Sequence, residues 1–171
     1  MDVLKYAIVI AAGYLLGSLS ASVLLSRLGW GRDVRKHGSG NAGATNMARV
    51  FGLGAGFATL AGDMLKAAAA TYLGMRLLGD AGIAAGGVAC MLGHCFPVFH
   101  EFHGGKGISV GSLAACVAIT VFAIVFHVST PKLILAIAAM CIAVFQHRSN
   151  IKRLAEGTEA DFKAAEPEKK K

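Results

Sequence analysis

Charged residues are scarce in this chain. Of its 171 residues, 16% are Asp, Glu, Lys or Arg and 55% are apolar, whereas a soluble domain usually contains about 25% charged residues. A disordered chain is excluded because disorder requires low hydrophobicity. The 22 glycines follow no three-residue period, which excludes a collagen-like chain. The composition therefore indicates a small integral membrane protein.

Cysteine is also rare, and its four positions lie within apolar runs. We interpret these cysteines as small buried hydrophobic residues rather than as a disulfide framework. Histidines lie near the first two, but the paired-ligand spacing of a zinc site does not occur. We therefore predict no metal and no cofactor. The four positions are Cys90, Cys95, Cys116 and Cys141.

Five apolar segments approach the roughly 20 residues that a helix needs to cross a bilayer. Because no barrel-length segment alternates with period two, we predict an all-α integral membrane protein with about five transmembrane helices. We expect a single transmembrane domain over 1–159, with its first apolar segment retained rather than cleaved as a signal peptide, and a disordered basic tail over 160–171. The predicted spans are 6–28, one within 50–78, 83–99, 108–126 and 131–146.

Positive charge is unevenly distributed between the segments that flank these spans. With five spans, the segments 26–50, 100–107 and 147–171 lie on one side and together carry thirteen Lys and Arg residues, against three on the other side. The positive-inside rule then predicts an N-terminus outside and a cytoplasmic C-terminus. Membrane orientation accounts for most of the net charge of +7, so we predict no nucleic-acid partner.

Two glycine-rich segments lie on the predicted cytoplasmic side. The first, GSGNAGATNMAR at 38–49, allows close backbone approach, and its amides beside Arg35, Lys36 and Arg49 suit a phosphate. The second, HGGKG at 103–107, exposes amides at a helix start, but it lacks the spacing of a Walker A loop. A tight turn with a snorkelling Lys106 explains the second segment equally well.

A third segment and a charged pair complete the unusual features. In HRSNIKRLAEGTE at 147–159, Arg148 and Arg153 are suited to an anion, and Glu159 to positioning a hydroxyl or an arginine. The alternative interpretation is an ordinary basic helix end. Asp63 and Lys66 lie three residues apart within a span, where ionisable groups are costly. We favour a pair that supports the loops over direct contact with a substrate.

At these residues the sequence resembles the bacterial acyl-phosphate:glycerol-3-phosphate acyltransferase family. The resemblance covers 38–49, the Asp63 and Lys66 pair, 93–107 and 147–159, in order. It implies an enzyme of the bacterial inner membrane whose active site faces the cytoplasm. The implied reaction moves a fatty acyl group from acyl phosphate to the 1-hydroxyl of sn-glycerol 3-phosphate and yields lysophosphatidic acid and phosphate, the first step of phospholipid synthesis. A separate soluble phosphate acyltransferase would supply the donor.

The resemblance also implies which residues form the site, and direct transfer without an acyl-enzyme. Ser39 is then a hydrogen-bonding group, since G-x-S-x-G is absent, and either His147 or a substrate phosphate takes the proton. The implied catalytic residues are Ser39, Arg49, Lys106, His147, Asn150 and Glu159. The implied substrate-binding residues are Gly38, Gly40, Asn41, Thr45, Asn46, Gly104, Gly105, Gly107, Arg148 and Arg153.

The chain departs from the family in length. Members usually have about 30 more residues between GGKG and the last span, enough for one or two further crossings. Losing two crossings keeps all three segments on one membrane face, whereas losing one would separate them, and the charge distribution favours the former. A non-enzymatic anion-binding or transport protein, or an inactive shortened relative, is the alternative interpretation.

Overall fold

In this computed structural model, which describes residues 2–100 and 110–155, the chain forms helices and contains no strand within those ranges. The predicted all-α class is therefore confirmed for the described residues. Short 3-10 turns at Val34–Lys36 and Val98–His100 lie in the connections. The helices are α1 (Asp2–Ser18), α2 (Ala21–Trp30), α3 (Ala44–Phe51), α4 (Leu53–Cys95), α5 (Val110–Val125) and α6 (Thr130–Ala155).

Helix α4 is broken at Gly79 into two arms, 53–78 and 80–95. Gly79 has φ +61° and ψ −142°, a conformation that glycine adopts at little cost. The arms fold back on each other so closely that a Cβ atom at Gly74 would lie 2.0 Å from the carbonyl oxygen of Gly82. The second and third predicted spans correspond to these two arms.

Helix α1 packs along the second arm of α4 and runs in the same direction. Cβ atoms at Gly13 and Gly17 would lie 2.8 Å and 2.0 Å from the carbonyl oxygens of Gly86 and Cys90. Small residues permit such close approach between membrane helices. We call the end of the bundle at Ser18 and Cys95 the loop end, and the end at Gly79 the hairpin end.

Helices α5 and α6 form an antiparallel pair against α4. The Thr120 hydroxyl donates to the Ala136 carbonyl oxygen at 3.3 Å, and Lys132 contacts Asp80 at the hairpin end. Helix α6 therefore runs from the hairpin end to the loop end, where His147 lies. The first motif and the beginning of the third thus share one end of the bundle, while 103–107 and Glu159 lie outside the described residues.

The predicted first span, 6–28, is not one continuous helix. Helices α1 and α2 are bent by 40° at a break around Leu19, because the Ser20 hydroxyl accepts a hydrogen bond from the Val23 amide and begins a new helix. Among the described residues, α4 and Thr130–Arg148 are long and apolar enough to cross a membrane, and the bent pair can be counted as a third span. The number of about five spans and the orientation of the termini stay predictions.

Candidate functional site

The loop between α2 and α3 is wrapped around the carboxamide of Asn46, which is 2% exposed. Its Nδ2 lies 3.1, 3.0 and 3.0 Å from the carbonyl oxygens of Val34, His37 and Asn41. Its Oδ1 accepts a hydrogen bond from the Ser39 amide at 2.9 Å. An amide group has two N–H donors, so three carbonyl oxygens share them. The polar atoms of Asn46, a predicted substrate-binding residue, are thus occupied beneath the loop.

Glycine is required where this loop passes over Asn46. Gly38 has φ +59°, and a Cβ atom there would lie 2.3 Å from Asn46 Oδ1. Gly40 also has a positive φ, +73°, which side chains rarely tolerate. The two glycines bring Ser39 and Asn41 over the buried amide, and Ser39 is exposed. The structure therefore supports the predicted close backbone approach in this segment.

Two arginines at the base of the loop are held by Asp33. Its Oδ2 lies 2.7 Å from Arg35 Nη2 and 2.8 Å from Arg27 Nη2. Hydrogen bonds from Arg35, and then from Arg27, hold the pKa of Asp33 well below its usual range. A lowered carboxyl pKa stabilises the fold above the unfolded value of about 4, and this contribution is lost as the pH falls below it. The sequence alone did not predict a role for Asp33. Its partner Arg27 lies before the end of α2 and its partner Arg35 lies after it, so the contacts depend on how the chain turns there.

Lys66 joins three elements at the loop end. Its Nζ lies 2.7 Å from Asp63 Oδ1, 2.9 Å from His94 Nδ1 and 2.9 Å from the Leu19 carbonyl oxygen. The predicted pair with Asp63 is therefore formed within the first arm of α4. The contacts with His94 and Leu19 were missed, because they depend on how the second arm and α1 pack. Lys66 thus ties the α4 hairpin to the break between α1 and α2.

We expect Lys66→Met to destabilise the protein by about 3–5 kcal/mol, because removing one partner leaves a buried charge without compensation. The side chains of Lys66 and Asp63 are only 10% and 23% exposed. The measurement is the thermal unfolding midpoint in detergent. The double variant Asp63→Asn/Lys66→Met removes both charges and should regain at least half of the loss. A double variant no more stable than Lys66→Met would contradict the ion pair's role.

His147 is buried, with 1% of its surface exposed. Its Nδ1 contacts the Ala143 carbonyl oxygen on the preceding turn of α6. A carbonyl only accepts, so Nδ1 carries a proton, and in the neutral ring Nε2 then has a lone pair. Nε2 is buried and has no hydrogen-bond partner within the described part of the chain. This arrangement suits a group that accepts a proton or a hydrogen bond from a ligand.

The remaining predicted residues are placed as follows. Arg49 and Thr45 lie half-buried on α3. Arg148 is exposed, donates to the Phe145 carbonyl oxygen at 2.7 Å and lies 4.3 Å from the centre of that ring. Asn150 and Arg153 belong to α6. The described ranges do not include the predicted site residues Gly104, Gly105, Lys106, Gly107 and Glu159.

A cavity of about 520 Å³ lies between the two arms of α4, α5 and α6. Its lining is mostly apolar and includes Ile119, Phe122 and Leu135. Asp63, Lys66 and His94 line it toward the loop end. No sequence pattern predicted this cavity, because its walls come from helices that meet only in the folded chain.

These features define a class of protein. A helical bundle with large apolar side chains on its outside, such as Phe57, Leu65 and Val125 at 61–71% exposure, carries a glycine-rich loop at one end. Soluble proteins rarely expose so many large apolar side chains. A folded helical chain with this surface is therefore a multi-pass membrane protein, whose outside contacts lipid. Residues 7–112 match the family model described as glycerol-3-phosphate acyltransferase, and the chain belongs to that family.

Curated relatives support the assignment. The chain is 33% identical to the glycerol-3-phosphate acyltransferase of Finegoldia magna, over 86% of this chain and 91% of that protein. It is 35% identical to the glycerol-3-phosphate acyltransferase of Thermoanaerobacter pseudethanolicus, over 91% and 95%. It is 34% identical to that of Syntrophotalea carbinolica, over 94% and 99%, in an alignment of 195 positions. The alignment is longer than this chain, so that relative contains residues with no counterpart here.

Solved structures share the fold. PlsY (YgiH), described as an integral membrane glycerol 3-phosphate acyltransferase, superposes in its glycerol 3-phosphate form with a TM-score of 0.84 and 28% sequence identity, over 92% of this chain and 96% of that one. Its lysophosphatidic acid form gives a TM-score of 0.82 and 27% identity. This chain therefore shares its overall fold with both of these solved structures.

Proposed function

We propose that this chain transfers a fatty acyl group from acyl phosphate to the 1-hydroxyl of sn-glycerol 3-phosphate, giving lysophosphatidic acid and inorganic phosphate. The reaction takes place at the cytoplasmic face of the bacterial inner membrane, and a soluble phosphate acyltransferase supplies the donor. One observation carries the proposal. The chain belongs to this family, and one end of its bundle holds the loop built on Asn46, the buried Nε2 of His147 and the end of an apolar cavity that Asp63, Lys66 and His94 line.

The main task in this reaction is to bring two anions together. Acyl phosphate is a mixed anhydride, so its carbonyl carbon is already activated and phosphate leaves readily. Positioning and charge stabilisation then supply most of the acceleration. The exposed Ser39 hydroxyl would bind one phosphate, since the Ser39 and Gly40 amides already donate to Asn46 Oδ1 and to the His37 carbonyl oxygen. Arg49, Lys106, Arg148 and Arg153 are the cations proposed to offset the repulsion.

The bond changes in a direct transfer are simple. The 1-hydroxyl oxygen of glycerol 3-phosphate forms the ester bond to the acyl carbon, and the bond from that carbon to the phosphate oxygen breaks. The hydroxyl proton goes to His147 Nε2 or to a phosphate oxygen. The lone pair on Nε2, which follows from the Nδ1 contact with Ala143, supports the first route. Ser39 acts as a hydrogen-bonding group rather than as a nucleophile.

An assay of phosphate release tests the proposal. Purified protein in lipid should release phosphate from palmitoyl phosphate only when glycerol 3-phosphate is present, and lysophosphatidic acid should form in equal amount. Arg49→Ala and Lys106→Ala should each lower the rate at least a hundredfold, as expected when a charge that binds the transition state is lost. Full activity in both variants would remove these two residues from the site.

The same preparation distinguishes the transport alternative. Proteoliposomes would then exchange labelled glycerol 3-phosphate across the membrane without forming lysophosphatidic acid. We expect no such exchange. Within the described parts of the helices, the 520 Å³ cavity is mostly apolar, and its ionisable lining residues are Asp63, Lys66, His94 and Lys132. A pathway for an organic anion across the bilayer would need polar or ionisable side chains along more of its length than this cavity has.

A further inference from the structure

The chain that leaves α4 is held by two side chains from the end of α1. Just after Cys95, the last residue of α4, the Tyr14 hydroxyl donates a hydrogen bond to the Phe96 carbonyl oxygen at 2.7 Å. Two residues further on, the Val98 amide donates to Ser18 Oγ at 3.4 Å. These contacts join residues 82 and 80 positions apart in the sequence. Side chains of α1 therefore fix the path of this connection.

The two side chains of α1 are also bonded to each other. Ser18 Oγ donates to the Tyr14 carbonyl oxygen at 2.9 Å while it accepts from the Val98 amide. Ser18 is fully buried, where hydrogen bonds in series strengthen one another. The backbone beneath them is tightly packed, since a Cβ atom at Gly93 would lie 2.2 Å from the Tyr14 carbonyl oxygen. Tyr14 and Ser18 thus hold the connection from a closely packed base.

The connection depends on these partners because it is not helical. Pro97 has no amide hydrogen and restricts the residue before it, and Phe96 has φ −131° and ψ 65°. Backbone amides and carbonyls are almost always paired in folded proteins. Phe96 and Val98 are both exposed, so a backbone group that lost its partner on α1 would turn to water or to lipid headgroups. Removing either hydroxyl would therefore let the connection take a different path.

We propose that Tyr14 and Ser18 are positioning residues for acyl transfer, because they fix the path along which the chain enters the second glycine-rich segment, HGGKG at 103–107. The inference rests on the proposed function, in which Lys106 of that segment offsets the charge of the substrates. The segment begins five residues after Val98, so a shift of the connection is passed on to it along the chain. Both side chains act through the connection and touch no substrate.

The first experiment removes one hydroxyl at a time. Tyr14→Phe keeps the ring and should lower kcat/KM for palmitoyl phosphate at least tenfold, because misplacing a reacting group by about 1 Å can cost a hundredfold in rate. Ser18→Ala removes the acceptor of the Val98 amide and should have at least the same effect. Tyr6→Phe is the matched control, since Tyr6 lies eight residues earlier on α1 and is 38% exposed. This control should keep the wild-type kcat/KM.

A double-mutant cycle with Lys106→Ala separates positioning from a general loss of structure. Changes that act through the same group are not additive, whereas independent changes multiply in rate. In protein that already lacks the Lys106 side chain, Tyr14→Phe should lower the residual rate of transfer less than threefold further. A further loss as large as in the wild type would mean that the Tyr14 hydroxyl acts elsewhere, and it would overturn the proposal.

Hydrogen exchange of the Val98 amide distinguishes this proposal from the proposed function, because the measurement requires no acyl transfer. Ser18→Ala should speed this exchange at least tenfold, and Tyr6→Phe should leave it unchanged. If the wild type transfers no acyl group but Ser18→Ala exchanges faster, the proposed function fails and the control of the connection by α1 stands. If the wild type transfers acyl groups and both Tyr14→Phe and Ser18→Ala match its kcat/KM, the positioning role fails. Unchanged exchange in Ser18→Ala would likewise overturn it.

Discussion

Asn46→Asp is expected to lower acyl transfer at least a hundredfold although it exchanges one nitrogen for oxygen. The nitrogen that is replaced lies within hydrogen-bond distance of three carbonyl oxygens, those of Val34, His37 and Asn41. A carboxylate can only accept, so an oxygen at this position repels all three carbonyl oxygens, and burying that oxygen without a donor costs about 1–3 kcal/mol. The loop must then open, and misplacing a substrate-binding group by about 1 Å can cost a hundredfold in rate.

Fluorescence of Trp30 reports whether the loop has moved. It is the single tryptophan of the chain, and its ring stacks on that of Phe51 at 4.7 Å. Phe51 belongs to a buried cluster with Val34 and Met47, the neighbour of Asn46. We expect Asn46→Asp to shift the Trp30 emission while the helix content measured by circular dichroism stays unchanged. Wild-type kcat/KM together with unchanged Trp30 emission would show that the carboxamide does not hold the loop.

His147→Asn is expected to lower kcat by a factor of about 10² to 10⁴, the usual contribution of a general base. Asparagine can place an N–H near the position of Nδ1 and keep the hydrogen bond to the Ala143 carbonyl, but it has no atom at the position of Nε2. The fold should therefore persist and KM should change little, since the lost interaction forms with the reacting hydroxyl. Rates of transfer from palmitoyl phosphate over a range of glycerol 3-phosphate concentrations separate kcat from KM.

His147→Gln is the matched comparison because its amide reaches the position of Nε2 instead. Glutamine there can hydrogen-bond the substrate hydroxyl but cannot take its proton, so KM should be kept and kcat should still fall. If His147→Gln retains wild-type kcat, positioning rather than proton transfer is the role of this side chain. A substrate phosphate would then be the proton acceptor.

The motifs were readable from the sequence because each depends on local chemistry. Glycines at 38 and 40 predicted close backbone approach, and the structure shows positive φ at both. Asp63 and Lys66 predicted an ion pair because residues three apart share a helical face, and they lie 2.7 Å apart. The length and polarity of the apolar runs likewise indicated helices close to where they occur.

Other features were not readable because they depend on long-range contacts. The first predicted span is two helices, because the Ser20 hydroxyl accepts a hydrogen bond from the Val23 amide and caps the start of α2. The apolar composition of this segment gives no sign of the break. His94 meets Lys66 across 28 residues of sequence, which follows from where Gly79 breaks α4. Asn46 carries the same type of side chain as Asn41, and only the wrapping of the loop makes one of them its buried centre.

By itself the sequence determined that this chain is a helical membrane protein of the glycerol-3-phosphate acyltransferase family, because hydropathy, charge asymmetry and glycine-rich motifs are properties of short segments. Only the tertiary structure decided that the buried Asn46 lies at the centre of the first loop, that His147 Nε2 is buried without a hydrogen-bond partner among the described residues, and that an apolar cavity forms between α4, α5 and α6. Each of these depends on atoms from separate helices or loop segments coming within a few ångströms, and such distances are set by packing rather than by the local order of residues.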